Sequence, residues 1–207
     1  MLQTVTIIAA VITAVSGLVV TLPQMVKAIR RKGAPGVSLP GWVNSCISYT
    51  TMVLYLAMTG QVPLLLGCLA GMLVCTATTA VIVRNASSYK DRAWWSTAMM
   101  FAATTAALVA YRLGFPAPIS ALLACSPLWC YGPSAWKAWR SRDVSGISAG
   151  TWGLSLVCAI SFAVAGYANP VTVANGFVAG TLSVVILARL WVGDRYRGPK
   201  TRPDTSE

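Results

Sequence analysis

Pro23–Trp42 reads PQMVKAIRRKGAPGVSLPGW, and Pro133–Trp152 reads PSAWKAWRSRDVSGISAGTW. Aligned without a gap, the two agree at Pro23/Pro133, Lys27/Lys137, Ala28/Ala138, Arg30/Arg140, Gly36/Gly146, Ser38/Ser148 and Trp42/Trp152. At average residue usage chance would supply about one or two matches in such a stretch. Each copy sits at the end of a hydrophobic run. An internal repeat fixes architecture before any residue is given a role. In a membrane chain, a duplicated half points to a transporter with its solute site between the halves.

Outside the two copies, charge is the next guide. The chain has 207 residues, of which 56% are hydrophobic and 10% charged, against about 25% charged in a soluble domain. Residues 1–26, 33–83, 93–111, 113–136 and 144–188 carry no charge. A helix needs about 20 apolar residues to cross a bilayer, so 33–83 and 144–188 each hold two spans. Thr59-Gly60-Gln61-Val62-Pro63 divides the first block and Tyr167-Ala168-Asn169-Pro170 the second, since glycine and proline in such clusters mark turns. These runs lack the period-2 alternation of a barrel strand. The reading is an all-α membrane protein with seven spans, at 4–27, 41–59, 63–83, 95–112, 118–139, 149–167 and 171–192. MLQTVTIIAAVITAVSGLVV has no basic residue ahead of its apolar run and no clear cleavage site, so it reads as the first span and not as a secretory signal.

Lysine and arginine gather in cytoplasmic loops. Every basic residue except Arg112 falls after the first, third, fifth or seventh span, which places the N-terminus outside and the C-terminus in the cytoplasm of a multi-pass cell-membrane protein. The net charge of +11 has the same origin. Because it is spread over four loops, it makes no patch for nucleic acid. The six cysteines all lie in apolar spans, and with no histidine in the chain they make no zinc site; disulfides are not expected. Asn85-Ala86-Ser87 matches a glycosylation acceptor but falls on the cytoplasmic side.

The repeat pairs spans one to three with spans five to seven, and the fourth is a linker. A three-span unit joined directly to its copy would insert it upside down, and one extra crossing restores the orientation. The units are 1–84, the linker loop and span 85–113, the second repeat 114–192, and a disordered cytoplasmic tail 193–207. Gly67-Cys-Leu-Ala-Gly71 and Gly176-Phe-Val-Ala-Gly180 correspond in the two third spans; small residues four apart allow close helix contact in lipid.

Thr21-Leu22-Pro23-Gln24 followed by a basic loop resembles the signature of PQ-loop transporters. The three-one-three arrangement, Gly36-Val37-Ser38-Leu39-Pro40 and Ala174-Asn175-Gly176-Phe177 resemble the SWEET sugar facilitators of that superfamily, over about residues 5–192. The resemblance implies facilitated sugar movement by alternating access, with four hinge prolines. Pro23, Pro40 and Pro133 match three of these, and the fourth position falls at Gly150 or Ala149. It also implies two facing asparagines. Asn175 matches one, and Leu66 stands in place of the other. Aromatic walls are implied at Tyr55 and at Phe162 or Val164.

The residues carry their own readings beside this one. Pro23 and Pro133 lie in apolar spans, where proline removes a hydrogen bond and kinks the helix, either as a hinge or as an ordinary bend. Gln24 is placed to satisfy the freed carbonyl or to face the cavity; Ser134 is its counterpart. Asn175 offers donor and acceptor to a sugar hydroxyl, or a helix–helix hydrogen bond. Thr51 and Ser48 are weaker candidates, because such hydroxyls usually bond their own backbone. Tyr55 and Phe162 stack on a sugar ring or fill the core. Trp42 and Trp152 read as interface anchors, with gating as the alternative, and Trp94, Trp95 and Trp191 as anchors.

All five acidic residues, Asp91, Asp143, Asp194, Asp204 and Glu207, lie outside the spans. Proton coupling needs an intramembrane titratable group, so a uniporter of a small neutral solute is expected. The last span has no lysine for a retinal Schiff base, and the chain shows no nucleophile–base pair for an enzyme. No cofactor or metal is expected. The expected partners are the solute and the bilayer, and association into a homo-oligomer stays open.

Overall fold

The computed structural model describes residues 2–30, 36–85, 94–141 and 143–196. These form α1 (Leu2–Val19), α2 (Leu22–Arg30), α3 (Leu39–Met58), α4 (Val62–Asn85), α5 (Trp94–Arg112), α6 (Ala117–Arg140), α7 (Ala149–Ala165) and α8 (Pro170–Tyr196), with no strand among the described residues. The first expected span, 4–27, falls within a segment long and apolar enough to cross a membrane, but its helix is interrupted. α1 ends at Val19 and α2 begins at Leu22, with a turn at Val20–Thr21 between them. The cause is Pro23, which has no N–H to give to the Val19 carbonyl four residues earlier. The other helices match their expected places. The last one runs on to Tyr196, so the first residues assigned to the tail are helical; 197–207 lie outside the described residues, as do Ala86–Ser87 of the glycosylation match.

Three segments are long and apolar enough to cross a membrane: Thr4–Arg30, Leu64–Asn85 and Pro170–Val192. The distribution of side chains agrees with a lipid surround. Ile7, Leu66, Phe101, Trp136 and Phe177 are exposed, while Thr13, Asn44, Thr78, Ser126 and Ser183 are buried. The chain is a helical membrane protein.

The helices pack in a closed ring. α4 lies between α1 and α3, and α8 lies between α6 and α7. α1 packs against α7, and α3 against α6, which joins the two triplets. α5 packs against α3 and α6, covering one of the two seams. Shifting each residue by the repeat exchanges α1 with α6, α3 with α7 and α4 with α8.

Close approach between helices is made by glycine. A Cβ at Gly17 of α1 would lie 3.1 Å from the Gly67 carbonyl oxygen of α4. A Cβ at Gly176 of α8 would lie 2.5 Å from the Ala159 carbonyl oxygen of α7. Helix starts also repeat. Ser38 accepts from the Gly41 amide at 3.4 Å ahead of α3, and Ser148 from the Thr151 amide at 3.3 Å ahead of α7, each capping orphan donors of a first turn.

Two apolar clusters fill the ends of the ring. One contains Val37, Trp42, Val144, Ile147, Trp152 and Ile186, at the end carrying the two repeat loops. The other contains Met52, Tyr55, Leu56, Ile119, Leu123 and Phe162. The space between them is incompletely filled.

Candidate functional site

A cavity of about 90 Å³ lies at the junction of the two triplets. Roughly 10–15 Å³ admits one water, so it holds a few water-sized groups. Thr13 and Gly17 come from α1, Ser48 and Tyr49 from α3, Cys68 from α4, Ser126, Pro127 and Tyr131 from α6, Ser155 and Phe162 from α7, and Asn175 from α8. Every ring helix contributes, and α5 does not. Aromatic faces, hydroxyls, thiols and one amide line it; among the described residues no Asp, Glu, Lys or Arg does.

The polar wall is a network built around a proline. Pro127 of α6 leaves the Leu123 carbonyl without its intrahelical donor. Asn175 Nδ2 fills that vacancy at 2.6 Å and also donates to Ser126 Oγ at 3.2 Å. Ser126 Oγ in turn donates to the Leu123 carbonyl at 3.0 Å and accepts from Ser48 Oγ at 2.9 Å. The helix–helix bond that the sequence left open for Asn175 is therefore present. Both its bonds are made by nitrogen, and Oδ1 accepts none among the described residues.

α6 contains a second interior proline, treated the same way. Pro133 frees the Trp129 carbonyl, and Asn44 Nδ2 of α3 donates to it at 2.7 Å and to Ser96 Oγ of α5 at 3.2 Å. Asn44 is completely buried, and its Oδ1 has no partner. Sequence reasoning overlooked both Asn44 and Pro127. The signal was available, because Asn44 meets the criterion that singled out Asn175: an amide inside an apolar span.

The loop end of the cavity is closed. A smaller void, lined by Trp42, Tyr49, Cys75, Tyr131, Ser134 and Trp152 among others, continues the cavity toward the loops. Tyr131 meets Trp152 edge-on, with ring centroids 5.1 Å apart. Above them Gln24, 1% exposed, spans the two repeats. Its Nε2 donates to the Gly146 carbonyl at 3.0 Å, and its Oε1 accepts from the Ser148 amide at 2.9 Å. The Lys27 ammonium donates to the Ile147 carbonyl. Gly36, at φ +79°, lets the first loop touch the second; a Cβ there would lie 2.9 Å from the Asp143 carbonyl oxygen. Gln24 thus neither covers the carbonyl freed by Pro23 nor lines the central cavity. It stitches one half to the other.

Several expected positions fall elsewhere. Leu66 is 61% exposed on the outer face of α4 and does not oppose Asn175. Thr51 is buried outside the cavity lining and bonds the Ile47 carbonyl at 2.8 Å. Tyr55 lies in the far apolar cluster, its hydroxyl 3.5 Å from Asn169 Nδ2. Val164 is exposed, and Phe162 is the aromatic that reaches the cavity. Trp42 and Trp152 are buried in the core, not exposed as interface anchors would be, in an apolar cluster that also holds Val37, Val144 and Ile147. Trp94, Trp95 and Trp191 are exposed. Pro40 stands in the first turn of α3, where proline removes no needed donor. Gly150 occupies the same place in α7, packed on Pro23. Pro133 lies inside an unbroken α6.

The chain matches no protein-family model and no curated protein.

Proposed function

We propose that the chain is a facilitative uniporter, moving a small neutral solute, a mono- or disaccharide, by alternating access in the manner of the SWEET and PQ-loop transporters it resembles. In this reading seven spans cross the membrane as two parallel triplets joined by α5, with the N-terminus outside and the basic loops in the cytoplasm. The carrying observation is the position and chemistry of the cavity. It lies where the triplets meet, all six ring helices line it, and no Asp, Glu, Lys or Arg faces it. Hydroxyls and the amide oxygen of Asn175 suit an uncharged polyol, and Tyr49, Tyr131 and Phe162 offer apolar faces to a ring. An amino acid, carried as a zwitterion, would leave two charges without partners. The protein carries no catalytic role and needs no cofactor.

The closed loop end is the inward gate. Opening it requires release of Gln24 and Lys27 from residues 146–148, and the tryptophans beneath then separate with their helices.

Uptake of labelled glucose and sucrose into proteoliposomes tests the reading. Flux is expected in the native chain and is lost in Asn175→Ala, with the elution profile on size exclusion kept. Absence of flux with any neutral solute would instead assign the scaffold to a non-transporting membrane receptor, a reading favoured by the engagement of Asn175 nitrogen with the Leu123 carbonyl.

A further inference from the structure

The cavity amide and the weak point of α6 share an atom. Pro127 lines the cavity, and the carbonyl it deprives of a donor, that of Leu123, is held by the nitrogen of Asn175, another residue of the cavity lining. An α-helix interrupted by proline keeps its course when another group satisfies the freed carbonyl and bends more freely when none does. α1 and α2 supply the contrast. There Pro23 frees the Val19 carbonyl, no hydrogen bond reaches it among the described residues, and the helix breaks.

We infer that Pro127 and Asn175 form a solute-operated latch: a hydroxyl-bearing solute that accepts from Asn175 Nδ2 withdraws that donor from the Leu123 carbonyl and frees α6 to flex at Pro127. The inference rests on the proposed uniport. Binding and conformational change are then coupled through one competed hydrogen bond, and the solute favours the flexed state by the difference in its interactions with the two states. Ser126 moderates the change, since its hydroxyl stays on the same carbonyl at 3.0 Å. Pro127 is a positioning residue here and need not touch the solute. Asn44 restrains the lower bend at Pro133 from a fully buried position away from the cavity. The solute-sensitive bend is therefore the upper one.

Hydrogen exchange on the full chain in liposomes tests this without requiring transport. Asn175→Ala should raise amide exchange across residues 127–131 about tenfold, and Asn175→Gln, which keeps the donor, should restore much of the protection. In Pro127→Ala the alanine amide bonds the Leu123 carbonyl within the helix, so adding Asn175→Ala should change exchange little. Equal effects of Asn175→Ala on the two backgrounds would overturn the latch. Glucose should raise exchange over 127–131 in the native chain and leave Pro127→Ala unmoved. Pro127→Ala should transport glucose at least tenfold more slowly. Glucose binding with no change in α6, or native transport by Pro127→Ala, would refute the coupling. Failure of the native chain to bind any neutral solute would instead refute the uniport reading and, with it, the solute's role, while the paired substitutions still report whether Asn175 caps Leu123.

Discussion

The two triplets share a sequence pattern yet solve the same problem differently at each proline. Pro133 and Pro23 are repeat equivalents. Over Pro133, Asn44 donates to the freed carbonyl, α5 covers the seam, and α6 stays continuous. Over Pro23, the counterpart of Asn44 is Leu154, which has nothing to donate. The corresponding seam holds an open groove lined by Val19, Leu22, Pro23, Val26 and Leu154, and the helix divides. Higher in the same helices the contrast recurs. Pro127 in the second half corresponds to Gly17 in the first, so a proline whose freed carbonyl is capped by Asn175 faces the close backbone contact of Gly17 with Gly67 across the cavity. The halves therefore differ in stiffness. The cavity lies between a helix already divided near the loop end and one whose proline-freed carbonyls are capped by amides.

The comparison can be broken most forcefully at the α3–α6 seam. A Cβ at Gly41 would lie 2.5 Å from Ser134 Oγ and 2.8 Å from the Cys130 carbonyl oxygen. Gly41→Leu should cost about 3 kcal/mol, the upper range for overpacking, and depress the yield of folded protein. Its counterpart Thr151 already carries a larger side chain, and Thr151→Ala should lower the melting temperature far less.

Exchanging the amide between seams is the next test. Asn44→Leu leaves the Trp129 carbonyl unsatisfied, at a cost of about 1–3 kcal/mol, and should split α6 near Pro133 as α1 and α2 are split. Leu154→Asn should protect the amides around Val20–Thr21 from exchange. Helix continuity unchanged by either substitution would detach the break from the missing donor.

Gln24→Ser makes the first half resemble the second at the loop end. Two hydrogen bonds at roughly 1 kcal/mol each are given up. Labelling of Cys75 and Cys130 from the loop side should then rise about five- to thirtyfold. An unchanged labelling rate would mean that the loops are held by something other than Gln24.

The smallest effect is expected at Leu66. Because this side chain faces outward, Leu66→Asn should leave solute flux within about twofold of native. A larger change would place the position in the pathway after all.

How far the sequence could be read follows the same division. The repeat, the helical segments and the turns at 59–63 and 167–170 were legible because charge, apolar length and turn residues decide them; the division of the first helix at Val20–Thr21 was not read. The loop residues 36–38 and 146–148 were also visible as repeats, but not that they cross, since nothing local records which loop Gln24 reaches. Asn175 was identifiable from the cost of an amide in lipid; that its nitrogen serves a proline-freed carbonyl on another helix is a tertiary fact. Leu66 was placed from the alignment of α4 with α8, and the helices' rotation toward lipid was not encoded in that pairing. Trp42 and Trp152 lie at the starts of their helices, where tryptophan ordinarily meets the bilayer interface. Their burial among Val37, Val144, Ile147 and Ile186 is a tertiary fact that the position alone does not record.

Transport energetics test the central claim most directly. In proteoliposomes that start free of sugar, labelled glucose should equilibrate to equal concentration on both sides, at a rate indifferent to a protonophore and to an imposed pH gradient. Accumulation above the external concentration that collapses with the protonophore would contradict a cavity that works without an intramembrane carboxylate, histidine or lysine.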